Sequence, residues 1–146
     1  ICGMHQALKN ISGIITFSNY EAVFKNNKII FLRDYLVDLI KNNKYVEITG
    51  SMSNRLPNHL SFTLLNKNLS PIKAYKIINF MSDNNISISS GSACSSSDKN
   101  PSKTLSKLGL ENNKLFSNVR LSFGQENSIN ELDKFYNLLL ECIQKF

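Results

Sequence analysis

Apolar residues recur at helical spacing in two long segments of this chain. Between residues 24 and 40 they lie three or four positions apart, which is the repeat of one helix face, and they comprise Ile29, Leu32, Leu36, Leu39 and Ile40. Ser128 and Glu131 have the spacing of a capping box, and the apolar stripe that follows them is Leu132, Phe135, Leu139 and Ile143. The pattern predicts two long helices that face a core.

Shorter segments between these helices have the patterns of strands and turns. Strands are predicted at 45–49, 60–64, 86–89 and 118–123. Ser70-Pro71 and Asn100-Pro101 each predict a helix start, because a first helical position does not use the donor that proline lacks. The first of these helices is predicted to end near Asn84, and the second to stop at Gly109. With a helix already under way at 1–8, the predicted order is α-α-β-β-α-β-α-β-α. The predicted fold class is α/β, with a small sheet covered on one side by helices.

Length and composition favour one globular domain or a large piece of one. The chain has 146 residues, of which 42% are hydrophobic and 19% charged, and no apolar run approaches the roughly 20 residues of a membrane span. Its three cysteines are too widely spaced for a disulfide framework or a two-plus-two metal pattern. A reducing cytoplasm is therefore the expected compartment. The chain begins at Ile1 within a helical pattern that has no cap before it, so we expect that a preceding segment has been removed.

The net charge of +6 raises the alternative of a nucleic-acid-binding domain. Such a domain needs basic residues gathered on one face. Here most are lysines interleaved with asparagines in predicted loops, as in the segments 25–28, 41–44 and 66–68. A solvated surface is the favoured interpretation, and nucleic-acid binding ranks last among the functions considered.

The segment from Ser89 to Ser97 is the first candidate for chemistry. It surrounds Cys94 with small, unreactive residues, so the thiol is expected to be exposed on a mobile loop. An incidental cysteine in a serine-rich loop remains an alternative, because no histidine base adjoins it. A phosphatase-like loop is disfavoured, since Asn100 stands where its arginine would lie, and a single glycine in the run is too few for a phosphate-binding P-loop.

Arg120 is the second candidate. A guanidinium on a rigid strand can hold a carboxylate through two parallel hydrogen bonds, and a surface ion pair is the alternative. For the remaining candidates we favour a solvated charge, a structural histidine or a packed thiol; they are Arg55, His5, His59, Cys2 and Cys142.

Several motifs together resemble the carboxy-terminal part of the cysteine desulfurases, which are class V aminotransferases. The resemblance extends from Gly3 to the last helix, and its motifs are Arg55-Leu56-Pro57-Asn58, Ser89-Ser90-Gly91-Ser92-Ala93-Cys94-Ser95, Pro101-Ser102, Leu108-Gly109-Leu110 and Val119-Arg120-Leu121-Ser122-Phe123-Gly124. The form of the segment around Cys94 is similar to the class that serves iron–sulfur cluster assembly and nitrogen fixation.

The resemblance implies the α+β small domain of a fold-type I enzyme that depends on pyridoxal 5'-phosphate. Such an enzyme removes sulfur from L-cysteine, leaves L-alanine and passes the sulfur on as a persulfide. Cys94 matches the persulfide-forming nucleophile, and Arg120 matches the arginine that holds the substrate carboxylate. The implied partners are a sulfur acceptor or iron–sulfur scaffold protein and a second copy in a homodimer, with no nucleic acid and no membrane. No resident metal is implied, and Cys94 stays open as a transient iron–sulfur ligand.

The lysine that would bind the cofactor is absent from the expected motif. His5 and His59 are followed by Gln6 and Leu60, so the chain has no His-Lys pair. We therefore predict that residues 1–146 are a single carboxy-terminal domain with a leading connecting helix, that the large cofactor-binding domain is missing, and that the chain is inactive alone. A non-catalytic module that accepts a persulfide from a separate enzyme is the alternative.

Overall fold

The computed structural model describes residues 27–90 and 102–146. Along these residues lie α1 (Asn27–Ile40), β1 (Val46–Ile48), β2 (His59–Leu64), α2 (Ala74–Asp83), β3 (Ser89–Ser90), α3 (Lys103–Lys107), β4 (Asn118–Ser122) and α4 (Ile129–Lys145). This order confirms the predicted sequence of elements from its second helix onward. The helix predicted at 1–8 lies outside the described residues. None of the helices at 27–90 and 102–146 combines the length and the hydropathy that a membrane span requires.

The four strands form one antiparallel sheet in the order β1-β2-β4-β3. Strand β4 is central, and its Arg120 lies between Ser61 of β2 and Ser89 of β3. Val119, the neighbour of Arg120, pairs with Phe62. Because side chains alternate along a strand, Phe62 and Val119 share one face of the sheet while Ser61 and Arg120 share the other.

The helices α1, α2 and α4 cover the apolar face of the sheet. Their buried side chains form one core with Leu60, Phe62 and Val119, and the rings of Phe62 and Phe135 meet edge to face with centroids 6.5 Å apart. The predicted stripe of α4 is buried, and the capping box at its start is present. Each fully buried apolar side chain stabilises the fold by about 1.5–3 kcal/mol. The mixed α/β class and the helix-covered sheet are confirmed.

Helix α2 begins at Ala74, so the predicted start at Ser70-Pro71 is wrong. The amide of Ile72 donates to the carbonyl of Leu64 at 2.8 Å, which extends the edge of the sheet past Pro71. The preceding turn is closed by the side chain of Asn66, which accepts from the amides of two following residues. A hydrogen bond to a strand therefore overrides the local preference of proline for a helix start.

Two other boundaries also differ from the prediction. The side chain of Ser102 caps α3 by accepting from the amide of Leu105 at 3.4 Å, so this helix begins at Lys103. Gly109 follows its end with a φ of +80°, which glycine adopts without strain, as predicted for the stop. Strand β3 contains only Ser89 and Ser90, because the chain pairs with β4 no earlier than this point.

Candidate functional site

A cleft of about 400 Å³ lies on the polar face of the sheet. Its walls are the turn that follows β1, the segment 54–56, the start of β2, the helix α3, and Arg120 of β4. Two arginines and a histidine line it, together with hydroxyl groups and a few leucines, and no described lining residue carries a carboxylate. The volume is within the usual range of small-molecule sites, and the charge suits an anion.

Arg120 enters this cleft from the central strand. Its side chain is partly buried, and its Nε donates to the carbonyl of Ser90 at 3.1 Å. The Nη1 and Nη2 groups of Arg120 form no hydrogen bond or ion pair with another residue of the described segments. The surface ion pair considered from the sequence is therefore absent among these residues. The arrangement holds the guanidinium at one nitrogen and leaves two donor groups for a ligand.

Arg55 is in the same cleft, although the sequence favoured a solvated loop charge. Its side chain is partly buried, its Nε donates to the carbonyl of Ser51 at 3.1 Å, and its Nη2 donates to the carbonyl of Thr49. Gly50 lies between these two carbonyl groups at a φ of +81°, a conformation that glycine allows. Gly50, five positions before Arg55, indicated a turn in the sequence. The sequence pattern alone does not show that the carbonyl groups of this turn point toward the Arg55 side chain.

His59 lies at the start of β2 and also lines the cleft. Burial lowers the pKa of its imidazole below the ordinary value, and the positive charges of Arg55 and Arg120 lower the pKa further. At neutral pH the ring is therefore uncharged, with one nitrogen donating and one accepting. Burial also lowers the pKa of the Arg55 guanidinium, with a smaller contribution from Arg33, but an arginine remains charged at neutral pH.

A buried polar network lies beside Arg120 on the same face. The hydroxyl of Ser61 donates to Oδ1 of Asn118 at 2.7 Å, and Nδ2 of Asn118 donates to Oγ1 of Thr49 at 2.7 Å. These hydrogen bonds join the end of β1 to β2 and β4. Because Thr49 also accepts from Arg55 through its carbonyl, the network connects the position of Arg55 to the strand that carries Arg120.

Of the three cysteines and the second histidine, the structure describes only Cys142. Cys94, Cys2 and His5 lie outside the described residues. Cys142 is fully buried in the core, as predicted, and burial raises the pKa of its thiol to about 11. A thiol in this state is protonated at neutral pH and is a poor nucleophile.

The described residues suit an anion better than a covalently bound cofactor or a metal ion. Pyridoxal phosphate is held through a lysine amine, and no lysine lines the cleft in the segments described. Those segments also contain no group of three or more His, Cys, Asp or Glu side chains placed to hold a metal ion. We therefore assign no cofactor chemistry to these residues.

Comparisons with known proteins agree on one family. The family model described as aminotransferase class-V matches residues 1–135. A cysteine desulfurase IscS of Ruthia magnifica is 35% identical over 121 residues, which is 83% of this chain and 28% of that protein. A cysteine desulfurase IscS of Aeromonas hydrophila is 30% identical over 143 residues, covering 98% of this chain and 32% of that protein.

Solved structures show the same fold. A NifS-like protein from Rickettsia africae has a TM-score of 0.64 at 24% identity over 79% of this chain and 28% of its own length. A second NifS-like protein has a TM-score of 0.61 at 23% identity over 77% of this chain and 26% of its own length. The chain thus spans about three-tenths of the length of the relatives it matches.

Proposed function

This chain belongs to the aminotransferase class-V family, and from that premise we propose that it is the carboxy-terminal part of a cysteine desulfurase. In this proposal the chain supplies the cysteine that accepts sulfur and the arginine that holds the substrate. The remainder of the enzyme supplies the cofactor site, in keeping with the 28–32% of each desulfurase relative that the chain covers. We expect the complete enzyme to be a cytoplasmic homodimer.

The observation that carries the proposal is the environment of Arg120. The guanidinium is fixed to the carbonyl of Ser90, it has two donor groups without a partner in the described segments, and it lies in a cleft without a described carboxylate. A bound α-amino acid has a carboxylate of the right geometry for a pair of parallel hydrogen bonds. We assign Arg120 to the carboxylate of L-cysteine.

Chain connectivity supports Cys94 as the sulfur acceptor. Ser90 is the residue that binds Arg120, and Ser102 lines the cleft, so both neighbours of the segment 91–101 belong to the site. Cys94 follows Ser90 by four residues, which limits the separation of their α-carbons to about 14 Å. A thiol tethered at this distance is able to reach a substrate that Arg120 holds.

The proposed reaction transfers one sulfur atom. The thiolate of Cys94 attacks the sulfur of L-cysteine, a sulfur–sulfur bond forms, and the carbon–sulfur bond of the substrate breaks. The carbon that loses sulfur takes up a proton, so the products are L-alanine and a persulfide on Cys94. Pyridoxal phosphate, if held by the remainder of the enzyme, would supply an electron sink for the electron pair that the broken carbon–sulfur bond leaves on the substrate carbon. The terminal sulfur then passes to an acceptor protein, which we expect to be a scaffold for iron–sulfur clusters.

Substitution of Cys94 in the complete enzyme tests the acceptor role. Cys94→Ser is expected to abolish sulfide and persulfide formation from L-cysteine, because a hydroxyl does not form a stable bond to the departing sulfur. Binding of L-cysteine and of the cofactor should survive the substitution. Cys142→Ala is the control, since its thiol is buried in the core. Unchanged turnover by Cys94→Ser would refute the assignment.

The isolated chain distinguishes the proposal from a persulfide relay. With added pyridoxal phosphate and L-cysteine, the 146-residue chain alone should release no L-alanine. Release of L-alanine would disprove its dependence on another part of the enzyme. A relay would instead acquire the mass of one sulfur atom on Cys94 when a separate, active desulfurase is supplied, and mass spectrometry detects that product.

A further inference from the structure

Three lysines from distant parts of the sequence lie together beside aromatic rings. Nζ of Lys76 is 5.0 Å from the centroid of the Phe146 ring. Nζ of Lys145 is 5.0 Å from the centroid of the Phe80 ring and 5.6 Å from that of Phe146. Nζ of Lys73, which precedes α2, is 5.3 Å from the ring centroid of a third phenylalanine. We call this set the lysine–aromatic patch, and its members are Lys73, Lys76, Lys145, Phe80, Phe116 and Phe146.

The charges of the patch are not neutralised by the segments that surround it. Among residues 27–90 and 102–146, none of its three lysines forms an ion pair with a carboxylate. Glu141 lies one turn before Lys145 on α4, and it does not pair with that lysine. An ammonium group over a ring is attracted to it but keeps its full positive charge. The patch therefore attracts negatively charged partners.

The rings of the patch are partly open to solvent. Phe116 is 42% exposed, and Phe80 and Phe146 are each partly exposed. Aromatic residues are enriched where proteins bind proteins. A nucleic acid is a poorer match, because three lysines offer few phosphate contacts and a ring face that carries an ammonium group is not free to stack on a base. The composition of the patch favours an acidic protein surface as its partner.

The patch lies close to the point where the chain leaves β3. That strand ends at Ser90, which pairs with Val119 near the start of β4. Phe116 comes three residues before Val119, so its α-carbon lies within about 16 Å of the α-carbon of Ser90. Cys94 follows Ser90 by four residues. A protein of ordinary domain size that docks on the patch is therefore within reach of this thiol.

We propose that the lysine–aromatic patch is the docking surface for the sulfur acceptor, and that the acceptor is a protein that presents a cluster of carboxylates to it. This inference rests on the proposed function and extends it, because it gives the acceptor a binding surface and a charge. A thiolate of the docked acceptor attacks the terminal sulfur of the Cys94 persulfide. A new sulfur–sulfur bond forms, the bond to Cys94 breaks, and Cys94 leaves as a thiolate, so the step consumes no oxidant or reductant.

Sulfur transfer from the complete enzyme to two synthetic peptides tests the inference. One peptide has a single cysteine flanked by glutamates, and the other has glutamine in place of each glutamate. Mass spectrometry of the peptide persulfides gives the ratio of the two transfer rates, and comparison of this ratio between enzyme variants cancels the intrinsic difference between the peptide thiols. Lys73→Gln/Lys76→Gln/Lys145→Gln should lower the ratio about tenfold at low salt. Added salt should lower the ratio of the parent enzyme in the same direction.

A second triple variant controls for net charge. Lys103→Gln/Lys107→Gln/Lys134→Gln removes the same charge from exposed lysines outside the patch. This variant should keep the ratio of the parent enzyme. An equal fall in the two triple variants would assign the preference to the net charge of the chain and overturn the docking surface.

The outcomes separate this inference from the function on which it rests. Release of L-alanine from L-cysteine, with dithiothreitol as an uncharged acceptor, should be the same in the parent and in the patch variant. Continued release with an unchanged ratio in the patch variant overturns the docking surface alone. No release by the parent enzyme overturns the proposed function, and the inference with it. If the parent binds a single-stranded oligonucleotide more tightly than the glutamate peptide, and the patch variant loses that binding, the patch serves a nucleic acid and the inference is wrong.

Discussion

The two faces of the sheet use the same strands for different purposes. On one face Leu60, Phe62 and Val119 are fully buried against helices. On the other face Ser61 and Asn118 are almost as buried, but their side chains form a hydrogen bond with each other beside Arg120. Burial alone therefore does not distinguish a core from a site in this molecule. The distinction is whether the buried atoms are apolar or are polar groups that hold one another in place.

The largest effect is expected from the apolar face. Phe62→Ala removes a ring that is fully buried and in contact with Phe135, so the free energy of unfolding should fall by about 3–5 kcal/mol in a denaturant titration. Phe116→Ala is the matched control, because this residue is 42% exposed. Its substitution should lower the free energy of unfolding much less than Phe62→Ala does. Equal losses in the two variants would show that the apolar face is not the main source of stability.

A smaller loss is expected from the polar face. Asn118→Ala leaves the hydroxyls of Ser61 and Thr49 without their shared partner, which should lower the free energy of unfolding by about 1–3 kcal/mol. Asn113→Ala, at an exposed position, is the control and should have little effect. If both substitutions are neutral, the network adds nothing to stability, and its value would be restricted to positioning the cleft.

The buried thiol of Cys142 gives the apolar face a pH dependence. Its pKa is raised from 9.0 to about 11 in the folded chain, so between these values the folded state binds more protons than the unfolded state. Stability should therefore fall as the pH rises through this window, by about 1.4 kcal/mol per pH unit. Cys142→Ala shares every other titrating group and should show a shallower fall in alkaline denaturation. Equal slopes in the two proteins would contradict the assignment to this thiol.

Local patterns in the sequence predicted the elements that local forces determine. The helical repeat and the capping box identified α4 with its buried stripe, because those features act within one or two turns. Arg120 was singled out from its strand and its motif, and the structure places it in the cleft. Its role as a carboxylate ligand stays a prediction, as does the role of Cys94, which lies outside the described residues.

Contacts between distant residues explain what the sequence did not show. The start of α2 was misplaced because Ile72 pairs with Leu64, a hydrogen bond that no local rule for proline contains. Arg55 was expected in solvent because its burial depends on how the turn at Gly50 folds against the adjoining strand. In both cases a local preference was overruled by hydrogen bonds that form only when the chain is folded.

The smallest effect concerns the ionisation of His59 on the polar face. Its folded pKa is lowered, first by burial and then by Arg55 and Arg120. Between that pKa and the ordinary value the unfolded chain binds more protons, so acidification through this window should destabilise the fold. An NMR titration should find the imidazole pKa below 6.5 in the parent chain. In Arg55→Gln the pKa should rise, because one nearby positive charge is gone.

Lys67→Gln tests whether the pKa of His59 responds to the nearby arginine or to the net charge of the whole chain. It removes a charge from an exposed turn outside the cleft lining, and at ordinary ionic strength distant surface charges are largely screened. The pKa of His59 should therefore stay at its parent value in this variant. An equal rise in Arg55→Gln and Lys67→Gln would mean that net charge, and not the arginine in the cleft, controls the histidine. A rise confined to Arg55→Gln would place the Arg55 guanidinium beside the imidazole in solution, as in the cleft that both residues line.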